Sequence, residues 1–240
     1  MHRIAILAAG LLAAGLAAGC AGTTEIAAPT GAPEPEARAA SAYFIVTRRD
    51  VRRCAFPRCG GVFVKRVNRL TTVCADGVPR PECHAATVDL DELGLDEPQR
   101  SEFAGVFEQK HALVLGRLIH VDQGLSIPVE TLVATEGWRG ATQNEPRGRF
   151  SRLTDSGIVC ITTPCPTVLE RQLNTTFTQT LAEVDLAASG ASRELVDQGF
   201  SELATNGILA AGRSTIVTGP AGTATGFAAS EFYLRETPHR

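Results

Sequence analysis

The sequence predicts a β-rich α+β fold made of two tandem copies of one β-β-β-α-β-β unit. Three observations predict it. "VRRCAFPRCGGVFVKRVN" (51–68) is echoed by "GIVCITTPCPTVLERQLN" (157–174), with the cysteines and the closing Asn at equal spacing. "VDL" at 88–90 recurs at 184–186, and "LVATEGW" (132–138) matches "FAASEFY" (227–233). Within each copy, alternating apolar residues flank one stretch of helical periodicity.

Shifting the chain by 106 residues lays Phe44 on Phe150, Cys54 on Cys160, Cys59 on Cys165 and Asn68 on Asn174. Beyond that the shift is 96, laying Leu113 on Leu209 and Arg117 on Arg213. The first copy therefore carries about ten extra residues, which "CADGVPRPEC" (74–83) supplies. The copies span 43–141 and 148–236.

Before them, residues 1–20 read as a lipoprotein signal peptide. A short basic start and an apolar run end at "LAAGC", which resembles the lipobox whose Cys, here Cys20, receives lipid. With Ala21 following Cys20, that resemblance implies export and sorting to the outer membrane. Residues 21–42, rich in Ala, Pro, Thr and Glu, read as a flexible tether, because they hold too little apolar surface to offset their ordering entropy.

Each copy opens with a strand ("YFIVTR" or "GRFSRL"), turns through its cysteine pair, and returns as an alternating strand ("GVFVKRVN" or "TVLERQLN"). A short "VDL" strand follows. The helix of the second copy starts at the N-cap Ser192, shows Val196, Phe200 and Leu203 on one face, and stops at Asn206-Gly207. Phe103, Val106 and Phe107 form the matching face in the first copy. Two further strands close each unit. The order fits an OB-like small barrel, and equally a sheet with one covering helix.

Besides Cys20, six cysteines remain. A pair confined to the insertion bonds most simply within it, which leaves Cys54 with Cys59, Cys74 with Cys83, and Cys160 with Cys165. Export places them where disulfides persist. If the insertion is dispensable to the fold, its bridge should matter least for stability.

The runs "YFIVTRRDVRRCAFPRCGGVFVKRVNR", "CADG", "VDLDELGL" and "ATEGWRGA", with "SGIVCITTPCP" and "AASEFYLRE", resemble an uncharacterised domain family of predicted bacterial lipoproteins. The resemblance covers most of 43–236. It supports the architecture and implies no mechanism.

Candidate chemistry is sparse. Cys54, Cys59, Cys74, Cys83 and His84 could be imagined as zinc ligands, but the second copy keeps only two cysteines, and the expectation is no metal and no cofactor. "LTDSGIV" (153–159) resembles an aspartic-protease stretch, yet the first copy has no matching Asp-Ser-Gly, so a turn is expected. Glu136 and Glu231 recur two residues before Trp138 and Tyr233. Facing each other they could form an acid/base pair; alternation instead predicts both carboxylates on a solvated strand face. Asp89, Asp185, Arg117 and Arg213 also recur, which the shared fold explains. His84, His111 and His120 lack metal-ligand spacing.

What differs between copies is informative. Arg48, Arg49, Arg52, Arg53, Arg58, Lys65, Arg66 and Arg69 crowd the first hairpin against one local acid, Asp50, and the acidic run Asp89–Glu108 is expected elsewhere. These cations are the candidate anion-binding residues, suited to anionic envelope lipid or glycan, since Arg pairs bidentately with phosphate and carboxylate. A net charge of −3 argues against nucleic acid. The expected function is a lipid-anchored envelope protein with a binding or structural, non-catalytic role. An envelope protein is an alternative partner, and an inhibitor-type module presenting "CAFPRC" or "CITTPC" to a protease is an alternative role. A hydrolase using Glu136 and Glu231 is a third reading.

Overall fold

The structure, a computed structural model, describes residues 40–125 and 127–238. The signal segment, Cys20 and residues 21–39 of the tether lie outside the described residues.

The first half contains β1 (Ala42–Arg49), β2 (Val62–Arg66), β3 (Thr72–Val73), β4 (Pro79–Arg80), β5 (Cys83–Ala85), β6 (Thr87–Asp89), α1 (Glu97–Glu108), β7 (Ala112–Val121) and β8 (Val129–Gly140). The second contains β9 (Arg149–Asp155), β10 (Val168–Gln172), β11 (Thr178–Leu181), β12 (Glu183–Asp185), α2 (Arg193–Thr205), β13 (Ile208–Gly219) and β14 (Gly222–Arg235). A 3-10 turn precedes each helix, at Asp91–Leu93 and Ala187–Ser189, and each ends on a left-handed glycine, Gly94 or Gly190.

Twelve of these strands form one large sheet, antiparallel along the path β11-β10-β9-β13-β14-β8-β7-β1-β2-β5. β6 adds to β8, and β12 to β14, in parallel. Each half thus uses one strand more than expected, β5 or β11, beside the hairpin strand. A pair closing each half into a small barrel is not among the described strand pairs. β3 and β4 form a separate two-stranded ribbon in the insertion. Cys83 itself is not inserted: it lies opposite Val64 on β5, where the second half has Gln179 opposite Glu170.

Local chemistry accounts for the helices. Asp96 caps α1 through a capping box with Gln99, and the α1 residues Phe103 and Phe107 are buried against the sheet. Ser192 caps α2, Asn206 closes it, and Gly207 follows at φ 78°. Phe200 departs from expectation: it is exposed, while Gly199 and Leu203 are the buried positions. A Cβ at 199 would stand 2.8 Å from Leu186 and 2.9 Å from Phe232. The helix therefore approaches the sheet through its glycine, which turns the neighbouring Phe200 outward.

Each half has its own apolar core. A third cluster lies where the halves meet, formed by Ile45, Val67, Leu113, Trp138, Leu173, Leu209 and Tyr233. There β14 pairs with β8, Tyr233 opposite Gly140 and Arg235 opposite Trp138. Trp138 and Tyr233 are fully buried at this junction.

The bulges show how closely the halves correspond. The β7–β8 register slips at Thr135 and the β13–β14 register at Ser230, each just across from a glycine, Gly116 or Gly212. Thr135 Oγ1 donates to Leu115 O, and Ser230 Oγ donates to Ala211 O. β1 carries a further bulge at Thr47, which β9 lacks. Tyr43, rather than Phe44, consequently takes the place corresponding to Phe150.

Candidate functional site

The cysteine pairs staple the two hairpin turns. Cys54–Cys59 bridges the β1–β2 connection and Cys160–Cys165 the β9–β10 connection, with Cα separations of 5.4 and 5.7 Å. Cys74–Cys83 anchors the inserted ribbon. All six sulfurs are committed to these bonds, including the four considered for zinc.

The turns present different surfaces. The first exposes Phe56, Arg53 and Arg58. The second exposes Val159 (94%) and Ile161 (103%) beside a hollow of about 530 Å³ that Ile158, Thr163 and Pro220 also line. Its base is fixed: Asp155 Oδ1 accepts the Gly157 N–H, Ser156 Oγ accepts the Ile158 N–H, and Thr163 O accepts the Ala221 N–H. Of "TDSG", expected to be a turn, Thr154 and Asp155 end β9, and Ser156 and Gly157 lead out of it under the Asp155–Gly157 bond. The sequence marks "CITTPC" as a candidate presented loop, and the exposure of Ile161 on it and of Val159 beside it is what the structure adds.

The eight cations divide into two sets. Arg48 donates to Glu82 at 2.7 Å and covers the Phe63 ring at 3.5 Å. Arg49 pairs with Glu108 at 3.2 Å, and Arg52 forms a fork with Asp50. The expectation of a single acid near the hairpin is thereby corrected. Glu82 comes from the insertion, and Glu108, the end of the acidic run, is carried back by α1. Bonds from Arg52 hold the Asp50 carboxyl well below its ordinary range, with burial opposing them.

Arg53, Arg58, Lys65, Arg66 and Arg69 form no ion pair among the described residues. Lys65, Arg66 and Arg69 border a hollow of about 280 Å³ that Asn68, Leu70, Gly148 and Phe150 also line. Arg69 Nε donates to Asn174 O at 2.6 Å. Arg66 is half-buried, and its Nε lacks a hydrogen-bond partner. Burial, then repulsion from Arg69, pushes its pKa down.

These stapled hairpins, the insertion and the paired β8 and β14 ends all lie within one recognised stretch. A family model described as a domain of unknown function, DUF6748, matches residues 43–239. The chain belongs to this family. No curated protein and no solved structure matches it.

The family match spans both carboxylates weighed for acid/base work. Glu231 is 1% exposed, not solvated as expected. It accepts hydrogen bonds from the N–H and hydroxyl of Thr142 and from the Phe232 N–H. Burial pushes its pKa up, against those bonds. Glu136 is half-buried, accepting from Trp138 Nε1 at 3.0 Å and pairing with Arg235. The two share no partner: each serves the junction on its own side. Glu136 and Glu231 stand two residues before the buried Trp138 and Tyr233, and residues two apart share a strand face, so alternation places each carboxylate on the face of its aromatic and not on a solvated one.

His84 is brought into a network that spacing could not reveal. Its Nε2 lies 2.7 Å from Gly60 O and 3.3 Å from Asp50, and its Nδ1 lies 3.5 Å from Glu130. Glu130 also faces His120 at 3.8 Å. Among the described residues, no three His, Cys, Asp or Glu side chains are placed to hold a metal ion, and no helix is long and apolar enough to cross a membrane.

Proposed function

We propose that the protein is a bacterial cell-envelope lipoprotein, exported and anchored through Cys20 to the outer membrane, with a non-catalytic role of binding anionic envelope lipid or glycan. The folded part is read as a tandem duplication in which the first copy has become the anion-contacting one.

The observation that carries this reading is Arg66. A half-buried guanidinium beside Arg69, with no acid paired to it among the described residues and Nε unbonded there, is unfavourable as it stands, and an oxyanion in the adjoining hollow would relieve it. Lys65 completes the cationic rim, and Arg53 and Arg58 extend it on the stapled turn. Acyl chains at Cys20 would hold the domain at the bilayer, so modest affinity for surface anions suffices.

Co-sedimentation of the full-length protein with envelope fractions from a strain lacking it tests the reading. Binding should fall as salt rises, because exposed charge pairs are screened beyond a Debye length of about 8 to 10 Å. Arg66→Ala with Arg69→Ala should remove the salt-sensitive part. Binding that ignores both salt and these substitutions would refute the reading.

A second reading is favoured by Val159 and Ile161. Large apolar side chains held fully exposed on a stapled turn cost solubility and are characteristic of contact surfaces. They support an inhibitor-type module docking on a protease, or another envelope protein. Its test is loss of protease activity on adding the protein, reversed by Ile161→Asp.

A further inference from the structure

The two halves differ at one corresponding charge pair. In the first half, Arg117 follows Gly116 in β7 and lies opposite Val133. Its Nη2 donates to Glu92, the middle residue of the first 3-10 turn, at 3.3 Å. In the second half, Arg213 follows Gly212 in β13 and lies opposite Ala228, beside the bulge at Ser230. The middle residue of its 3-10 turn is Ala188. The second half thus has the guanidinium without the carboxylate.

The space so left is a hollow of about 360 Å³, bordered by Ala188, Gly212, Arg213, Ala228, Ser230 and the 147–148 segment. That segment brings a second cation, Arg147. Ser230 Oγ pins it, accepting the Arg147 N–H at 2.8 Å and lying 2.7 Å from its carbonyl. Gly148 follows at φ 92°, where a Cβ would stand 2.0 Å from Gly212 O, so the backbone here fits only glycine. Neither Arg147 nor Arg213 forms an ion pair among the described residues. The adjoining acid, Asp185, accepts the Ala188 N–H.

We infer that this hollow is an oxyanion site for a phosphate group, which takes the place that Glu92 fills in the first half. Charge selects phosphate over carboxylate. One arginine is balanced by one carboxylate in the first half, whereas two arginines match a phosphomonoester, which carries about −1.5 to −2 near neutral pH. The inference is independent of the Arg66 reading and uses no residue of it except Gly148, which borders both hollows.

The test titrates the full-length protein, solubilised in a non-ionic detergent, with inorganic phosphate and separately with short-chain phosphatidic acid, by calorimetry. Arg213→Ala and Arg147→Ala should each weaken binding by about tenfold, the loss expected for one charge-assisted fork. Ala188→Glu restores the missing carboxylate and should occlude the site while leaving the fold intact. Binding of inorganic phosphate with these losses supports a site for free phosphoesters. Binding of phosphatidic acid alone, with the same losses, supports a lipid headgroup. Absence of binding by either probe, or binding unchanged in all three variants, overturns the inference. Repeating the titrations in an Arg66→Ala, Arg69→Ala background removes the other proposed anion hollow, so that a loss on Arg213→Ala or Arg147→Ala there reads on this one alone.

Discussion

Asn68 and Asn174 clamp each other's halves with the same set of bonds. Asn68 Nδ2 donates to Phe150 O and Leu173 O, and its Oδ1 accepts the Phe150 N–H, at 2.7 to 2.9 Å. Asn174 Nδ2 donates to Tyr43 O and Val67 O, and its Oδ1 accepts the Tyr43 N–H, at 2.8 to 3.0 Å. Both residues sit in the left-handed region, at φ 57° and 58°. Asn tolerates that region better than other L residues with a side chain, and its amide can satisfy a strand-edge N–H and two carbonyls together. The junction is therefore built by exchange.

Removing either clamp should loosen the junction. Asn68→Ala strands polar backbone at the junction and adds left-handed strain, for a loss of about 2 to 4 kcal/mol. Asn68→Gly keeps the backbone relaxed and should lose less, by about 1 kcal/mol. Urea unfolding of both variants, and of the Asn174 pair, checks this. Unchanged stability in all four would show that the bonds do not hold the halves.

Burial reverses the expectation for the inserted disulfide. Cys74 and Cys83 are 3% and 1% exposed and both sit in the first core, whereas of the turn's bridge Cys59 is buried outside that core and Cys54 is exposed. Loop entropy alone assigns both bridges about 2 to 3 kcal/mol. Deleting buried sulfurs adds a cavity cost, so Cys74→Ala with Cys83→Ala should destabilise by about 1 to 2 kcal/mol more than Cys54→Ala with Cys59→Ala. Equal midpoints in urea for the two double variants would contradict this.

The cysteine spacing and the two shifts exposed the pairings and the order of the main elements, because these are local or repeat in the sequence. The side-chain partners were hidden. Glu82 and Glu108 reach the basic hairpin only through β5 pairing with β2 and α1 packing on the sheet, which composition counts cannot express. Asn68 and Asn174 were visible as matched positions, yet their reach of 82 to 131 residues along the chain has no local signature. The bulge at Thr47 shifts the β1 register by one, which puts Tyr43 and not Phe44 in the place of Phe150.

His84 should make stability pH-dependent near neutrality. Its hydrogen bond to Glu130 is the chief cause of a raised pKa; the Gly60 carbonyl and Asp50 add to it, and burial opposes them. Protonated His84 can donate from both ring nitrogens. Its contribution is complete below the ordinary histidine pKa of about 6.5 and is lost as pH rises through the raised folded value. The thermal midpoint should fall across that window, and His84→Gln should flatten this part of the profile. An identical slope in His84→Gln would show that the titration is not that of His84.

Glu231 gives a pH response of different origin. Burial raises its pKa, so the folded state favours the neutral acid, and ionisation works against folding. Stability should therefore decline as pH rises from the ordinary carboxylate range, about 4.3, through the raised folded value. Gln can replace the neutral acid bond for bond: Oε1 accepts the Thr142 and Phe232 N–H groups, and Nε2 donates to Thr142 Oγ1. Glu231→Gln should then match or exceed the parent in stability at neutral pH and lose this acid-side slope. Glu231→Ala leaves two backbone donors unpaired beside a cavity and should cost about 2 to 4 kcal/mol. Chemical denaturation at several pH values separates the cases. A Gln variant as unstable as the Ala variant at neutral pH would mean that the ionised carboxylate is the form the fold requires.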